Sequence, residues 1–281
     1  MCMIDLCTVV FRDELIQLSL QAQSVDLYCQ DLEIRNIYVV VNDDDQVSQS
    51  VIPDWWGKFA DRVRVLPRSF FGCNWCDNGW VSQQVLKMIT PATSYSKWSI
   101  ILDAKTIFIR PLLLNQLFDS EGKAQVGVFG IQPVFEPSRK IISDLFNIKF
   151  EKQLGPAGVP FFVLNRIVRE MIVEVETLTN NDFPTWFQNK GMVTEFMLYA
   201  GYIQYRYGNF DKWYSENVTV RPCNVCHSEV PSFDRKFKEM SAPKILTVSI
   251  HRRAWEQITT TQQEQYKEFL VERNITKAID L

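Results

Sequence analysis

The sequence has no apolar run near the roughly 20 residues that a membrane-crossing helix needs, which argues against a helical membrane protein. Its opening residues, Met1-Cys2-Met3-Ile4-Asp5, have neither the basic start nor the apolar stretch of an export signal, so a cytoplasmic protein is expected. An excess of charge of either sign is also lacking. Thirty Lys and Arg stand against 33 Asp and Glu, a net charge of −3, without the broad cationic field that nucleic acid requires of a partner. No G-x-G-x-x-G fingerprint or glycine-rich phosphate loop occurs, which counts against dinucleotide oxidoreductases and P-loop kinases. Internal repeats and low-complexity tracts are missing too.

Seven cysteines are an odd number in a chain without an export signal, so reduced thiols are expected rather than a disulfide framework. Two pairs, Cys73-Asn-Trp-Cys76 and Cys223-Asn-Val-Cys226-His227, have zinc-compatible spacing. To share one zinc they would have to meet from segments far apart in the chain. The alternative reading is partly buried thiols.

What is present is ordinary globular composition, 46% hydrophobic and 22% charged, with an aromatic share of 13% that suggests clefts as well as core. A length of 281 residues suits one continuous core, a single domain over 1–281. The largely apolar stretch Ile4 to Phe11 predicts a buried strand, and Leu15, Leu18, Ala22 and Val25 then recur at helical spacing. A second buried strand, Asn36 to Val41, stops at the polar loop Asn42-Asp43-Asp44-Asp45. Further strands are predicted at Arg62–Leu66, Trp98–Leu102, Thr106–Ile109, Gln125–Gly130, Phe161–Leu164 and Ile245–Ile250. Helices are predicted around Val81–Ile89 and over Arg166–Leu178, Phe183–Asn189, Thr194–Ile203 and Thr261–Val271. Strands alternating with helices imply an α/β, Rossmann-like fold, a mostly parallel sheet flanked by helices with a helical C-terminal part. Its ligand crevice is expected outside the carboxyl ends of the strands.

Asp103 directly follows a buried strand and therefore sits where that crevice opens, although an acid there also serves as a turn residue or helix cap. The stretches Gly79-Trp80-Val-Ser-Gln83-Gln84-Val-Leu-Lys87 and Ile100-Ile-Leu-Asp103-Ala-Lys105-Thr106-Ile-Phe-Ile-Arg110-Pro111 resemble nucleotide-sugar-dependent glycosyltransferases of the GT-A fold, of the bacterial surface-glycan type. The resemblance runs in outline from Ile4 to about Tyr207. It implies a nucleotide-sugar-binding half at about 1–130 and an acceptor-binding half with a C-terminal extension at about 131–281. It also implies Asn42 and Asp43 in the loops that hold base and ribose, a UDP-sugar donor, and a glycan or glycolipid acceptor met at the inner face of the membrane.

The chain departs from that family where Lys105 replaces the second acid of the Asp-x-Asp motif. Paired acids there hold a divalent cation against the donor diphosphate. A lysine supplies positive charge directly, so no metal or other cofactor is expected to be required, with manganese or magnesium as the alternative. Asp103 is then a catalytic-site residue that binds the donor sugar hydroxyls, or else holds a loosely bound cation. On residues alone, Thr194-Glu195 reads as a helix cap with an acid in the first turn. The resemblance assigns Glu195 as the general base that takes the acceptor proton, which implies inversion at the anomeric carbon. Arg12, Lys87, His251 and Arg252 are candidate donor contacts, beside Arg253. Phe161 and Trp186 are candidate acceptor contacts, and Trp55, Trp56, Trp75 and Trp80 are further aromatic platforms. The alternative function is a nucleotide- or sugar-binding protein of the same fold without catalysis.

Overall fold

The computed structural model describes residues 3–155, 159–219 and 221–277. The first half follows the predicted alternation: β1 (Ile4–Val10), α1 (Leu15–Tyr28), β2 (Ile34–Val41), β3 (Val63–Pro67), α2 (Gly79–Thr93) and β4 (Trp98–Asp103). Every residue of β1 is buried, as befits a strand covered on both faces, and the two polar residues within it are bonded, Asp5 to the Asn36 amide and the Ser94 hydroxyl and Thr8 to Gln21. Next come β5 (Ile107–Phe108), α3 (Leu114–Leu117), β6 (Ala124–Gln125), β7 (Val128–Gly130), α4 (Glu136–Phe146), β8 (Lys152–Leu154) and β9 (Phe161–Leu164). The chain continues through α5 (Asn165–Thr179), α6 (Phe183–Lys190), α7 (Glu195–Tyr207), β10 (Tyr214–Ser215), β11 (Arg221–Val225), α8 (Phe233–Met240), β12 (Ile245–Ile250), α9 (Arg252–Trp255) and α10 (Thr260–Val271).

The central sheet has the order β3-β2-β1-β4-β9. Its first four strands are parallel and the edge strand β9 is antiparallel to β4. Helix α2 packs over β1 and β2, where Leu86 meets Val9 and Val40. The strand order reverses between β1 and β4, so the crevice where an α/β sheet takes its ligand lies outside the ends of these two strands. A second sheet, β11-β12-β5, lies beside it. Its residues, with α8 and α10, form a separate apolar cluster that Leu20 of α1 joins.

Among the elements that differ from expectation are short ones at α3, β8, β10, α8 and α9, which the sequence pattern does not predict, and three others. The strand predicted over Gln125–Gly130 is split into β6 and β7 because Gly127 takes a φ of +77°, with Val218 and Phe129 where a side chain would stand. Helix α4 was not expected. It starts on Glu136-Pro137, ends on a left-handed Asn147, and lies close against α7 because a Cβ at Gly201 would overlap Ile142. Strand β11 contains Cys223, the first cysteine of the second pair, and was not predicted as a strand. It pairs in parallel with β12 and buries Cys223.

Candidate active site

Four turns converge at the carboxyl ends of the central strands. Arg12-Asp13-Glu14 follow β1, Asn42-Asp43 follow β2, Arg68 follows β3, and Asp103 closes β4 opposite Val9 of β1. The last strand of the second sheet ends on the same side, since β12 runs antiparallel to β5 and pairs Val248 with Ile107. His251 is thereby brought beside Lys105.

Asp103 stands between two lysines. Lys87 Nζ lies 2.7 Å from Oδ1, and Lys105 Nζ lies 2.8 Å from Oδ2 and donates a hydrogen bond to it. Lys87, almost wholly buried in α2, also reaches Glu195 Oε1 at 3.4 Å. The amide of Glu195, the first residue of α7, donates to Gln84 Oε1 at 3.3 Å. A cleft of about 180 Å³ opens onto Lys87, Asp103 and Glu195, walled by Trp80, Gln84, Phe135 and Phe196.

The electrostatics follow from burial and pairing. Burial alone would raise the Asp103 carboxyl, but Lys105 and Lys87 outweigh it and hold the group well below the usual carboxylate range. Burial likewise opposes the charge on Lys87, and the two carboxylates overcome it, so its ammonium is held above the ordinary lysine value. Glu195 goes the other way: burial raises its carboxyl, and Lys87 only partly offsets that. Glu195 is thus the more basic of the two acids.

Glu14 also belongs here, although sequence reading passed over it. Its carboxylate accepts from the Phe11 amide at 3.4 Å, and it is raised chiefly by burial, with Lys105, Asp103 and Lys87 all close enough to act on it. The signal was its place just after the carboxyl end of β1. Burial, then Lys105 and Arg253, hold the His251 imidazole below its usual value, and its Nδ1 accepts from the Arg253 amide at 3.3 Å as the cap of α9. His251 therefore adds a neutral ring beside Lys105, not a cation.

Asp43 lines a separate hollow of about 630 Å³ with Arg68, Cys73 and Trp75. Arg12 lies against it, donating from its amide to Asp43 Oδ2 at 3.2 Å. A larger, apolar hollow of about 730 Å³ around Leu113, Leu114 and Phe118 includes Lys97, the residue before β4, and is remote from this chemistry.

Several expected contacts are placed elsewhere. Asn42 is buried, and its amide is spent on Gly79 O at 3.0 Å and Ser82 Oγ at 2.9 Å, tying the end of β2 to the start of α2. Phe161 is buried behind Phe196, ring on ring at 3.9 Å, and Trp186 is buried in α6 against Phe187. Trp56 is core as well, whereas Trp80 stands half exposed at the cleft. Arg252 extends to Asp13 at 2.8 Å, fastening α9 to the turn after β1.

A divalent cation does not fit beside Asp103 as these residues stand. Each carboxylate oxygen already faces an ammonium group, and the position where a second acid would complete a cation site holds Lys105 instead. Among the described residues, no cluster of three or more His, Cys, Asp or Glu side chains is set to hold a metal. Cys73 and Cys76 are half-buried free thiols, Cys223 is a buried one and Cys226 an exposed one.

A family model described as "Family of unknown function (DUF6492)" matches residues 3–247. No curated protein matches the sequence. Among solved structures, an active-site mutant of LgtC is 11% identical with a TM-score of 0.51, over 95% of this chain and 95% of that one. The galactosyltransferase LgtC in complex with donor and acceptor sugar analogues is 10% identical at a TM-score of 0.49, again over 95% of each chain. GlyE, a glycosyltransferase of Streptococcus pneumoniae TIGR4, is 12% identical at 0.47, over 98% of this chain and 63% of that one. The likeness to the LgtC mutant shows the fold: a mixed α/β structure with a mostly parallel central sheet flanked by helices, of the GT-A type.

Proposed function

The chain belongs to DUF6492, a family described as being of unknown function, and from its fold and the residues at the sheet's carboxyl ends we propose that it is a glycosyltransferase. In this reading one domain moves a sugar from a nucleotide-sugar donor, a UDP-sugar, to a glycan or glycolipid acceptor in bacterial surface polysaccharide synthesis, at the inner face of the membrane. The observation that carries it is the arrangement around Asp103: a carboxylate at the switch point, with Lys105 on one oxygen and Lys87 leading from the other to Glu195.

The chemistry is a single displacement. Glu195 accepts the proton of an acceptor hydroxyl, whose oxygen forms a bond to the anomeric carbon as the bond from that carbon to the phosphate oxygen breaks. The electron pair leaves with the nucleoside diphosphate. Lys105 meets the charge that develops there, with Arg12 nearby on the turn after β1, and the sugar is inverted. Asp103 holds donor hydroxyls and keeps Lys105 in place. Neutral His251 beside Lys105 does not compete for the anion.

One observation favours a second reading, a nucleotide- or sugar-binding protein without turnover: both Asp103 oxygens are already engaged by lysines. Incubation with a panel of nucleotide-sugars and carbohydrate acceptors, followed by mass spectrometry of the products, separates the two. Transfer from a UDP-sugar is expected. Tight nucleotide binding without transfer or hydrolysis selects the second reading, and neither binding nor transfer contradicts both.

A further inference from the structure

The pair of residues that carries the proposed donor chemistry, Asp103 and Lys105, sits in one tight turn. The Thr106 amide donates to Asp103 O at 2.8 Å, which places Asp103 first and Lys105 third in the turn. That bond fixes the shape of the turn but not its position relative to the sheet. Strand pairing anchors the turn's first residue, Asp103 opposite Val9 of β1, and α1 holds the rest. Gln21, 1% exposed, donates from Nε2 to Asp103 O at 2.6 Å and to Thr106 O at 3.2 Å, while its Oε1 accepts from Thr8 Oγ1 of β1 at 2.7 Å. Three residues along the same helix face, Ser24 Oγ donates to Gln21 O at 2.7 Å and accepts from the Phe108 amide at 3.1 Å. Both ends of the segment from Asp103 to Phe108 are therefore held by α1, and Gln21 joins that segment to the strand beside it.

We propose that Gln21 is a positioning residue for the Asp103–Lys105 turn, setting where the Lys105 ammonium meets a nucleoside diphosphate; this rests on the transferase reading above. Only an amide side chain does all of this at once. It supplies two donor hydrogens for two carbonyls and an acceptor for a hydroxyl. Glutamate presents a charge to the two carbonyls, and methionine fills the space while leaving Thr8 Oγ1 and Thr106 O without this partner and Asp103 O with only the Thr106 amide.

The test is a double-mutant cycle read by calorimetry with uridine diphosphate, using wild type, Gln21→Met, Lys105→Ala and the double variant, with melting temperatures alongside. Gln21→Met is expected to weaken uridine diphosphate about tenfold in the wild-type background and less than twofold in the Lys105→Ala background, while melting falls equally in both. A purely structural residue gives the same fold-loss in both backgrounds, and that result, or unchanged affinity in Gln21→Met, overturns the proposal. Gln21→Asn, shorter by one methylene, guards against a variant that fails to fold. It is expected to show the same coupling at smaller size, and equal losses in both backgrounds overturn the proposal as well. Wild-type protein that binds no uridine diphosphate overturns the transferase reading first and the proposal with it, a pattern distinct from binding that Gln21 does not influence.

Discussion

Lys87 Nζ lies 3.4 Å from Glu195 Oε1, and because the same ammonium is 2.7 Å from Asp103, one buried cation joins the end of β4 to the start of α7. The two carboxylates it serves are displaced in opposite directions, Asp103 down and Glu195 up, so one stays charged while the other is readier to take a proton.

Lys87→Met should remove the only partner within ion-pair distance that Glu195 has among the described residues, and one of the two that Asp103 has. Breaking a buried pair in this way costs about 3–5 kcal/mol. Urea unfolding at neutral pH measures it, and a loss under about 1 kcal/mol would show that water reaches these carboxylates after all.

Glu195→Gln keeps the size of the side chain but cannot accept a proton, so turnover should fall roughly a hundredfold or more with donor affinity barely changed. Stability at neutral pH should not fall. A raised carboxyl contributes stability that is present at low pH and lost as pH rises through its folded value, and the amide does not titrate. Unaltered turnover with a lower melting temperature would reduce Glu195 to a helix-terminal acid.

Asp103 has the opposite linkage. Its folded pKa is depressed, so its contribution is fully present above the ordinary aspartate value of about 3.9 and is lost as pH falls toward the folded value. Wild type should therefore lose stability below about pH 4 more steeply than Asp103→Asn. Parallel acid-unfolding curves for the two proteins would contradict the pairing seen here.

The antiparallel edge of the sheet offers a stability test away from the cleft. The Leu164 amide donates to Tyr199 Oη at 2.9 Å, the two phenols of Tyr199 and Tyr214 are 2.7 Å apart, and Tyr214 donates to Phe162 O at 3.1 Å, all of it buried. Tyr199→Phe leaves the Leu164 amide without a partner, for a cost of about 1–3 kcal/mol. Thermal unfolding should show this with turnover intact, since none of these groups lines the cleft.

The parallel core was legible because β1, β2 and β4 are short, largely apolar runs ending at polar residues, and the position of Asp103 was legible because it directly follows such a run. Helix α4 was hidden by its polar face and by Gly201, whose role appears only once α7 lies against it. Asn42 and Trp186 looked like ligand contacts because polar loop ends and aromatics often are. Whether an amide faces solvent or a neighbouring helix depends on partners 37 and 40 residues away, here Gly79 and Ser82. Glu14 and Gln21 were missed for the same reason. Their meaning lies in contacts across the chain, Gln21 with a turn 82 residues distant, and no local pattern announces them.

In the proposed mechanism Lys105 provides the positive charge which a cation supplies in Asp-x-Asp enzymes. This role is tested most directly by measuring UDP-sugar turnover of wild type and Lys105→Ala in a strong chelator and again with added manganese. Wild-type turnover is expected to persist in the chelator, to gain little from manganese, and to fall at least tenfold in Lys105→Ala, an amount equivalent to about 1.4 kcal/mol or more of transition-state stabilisation. Turnover that vanishes on chelation and returns with manganese, with Lys105→Ala as active as wild type, would contradict it.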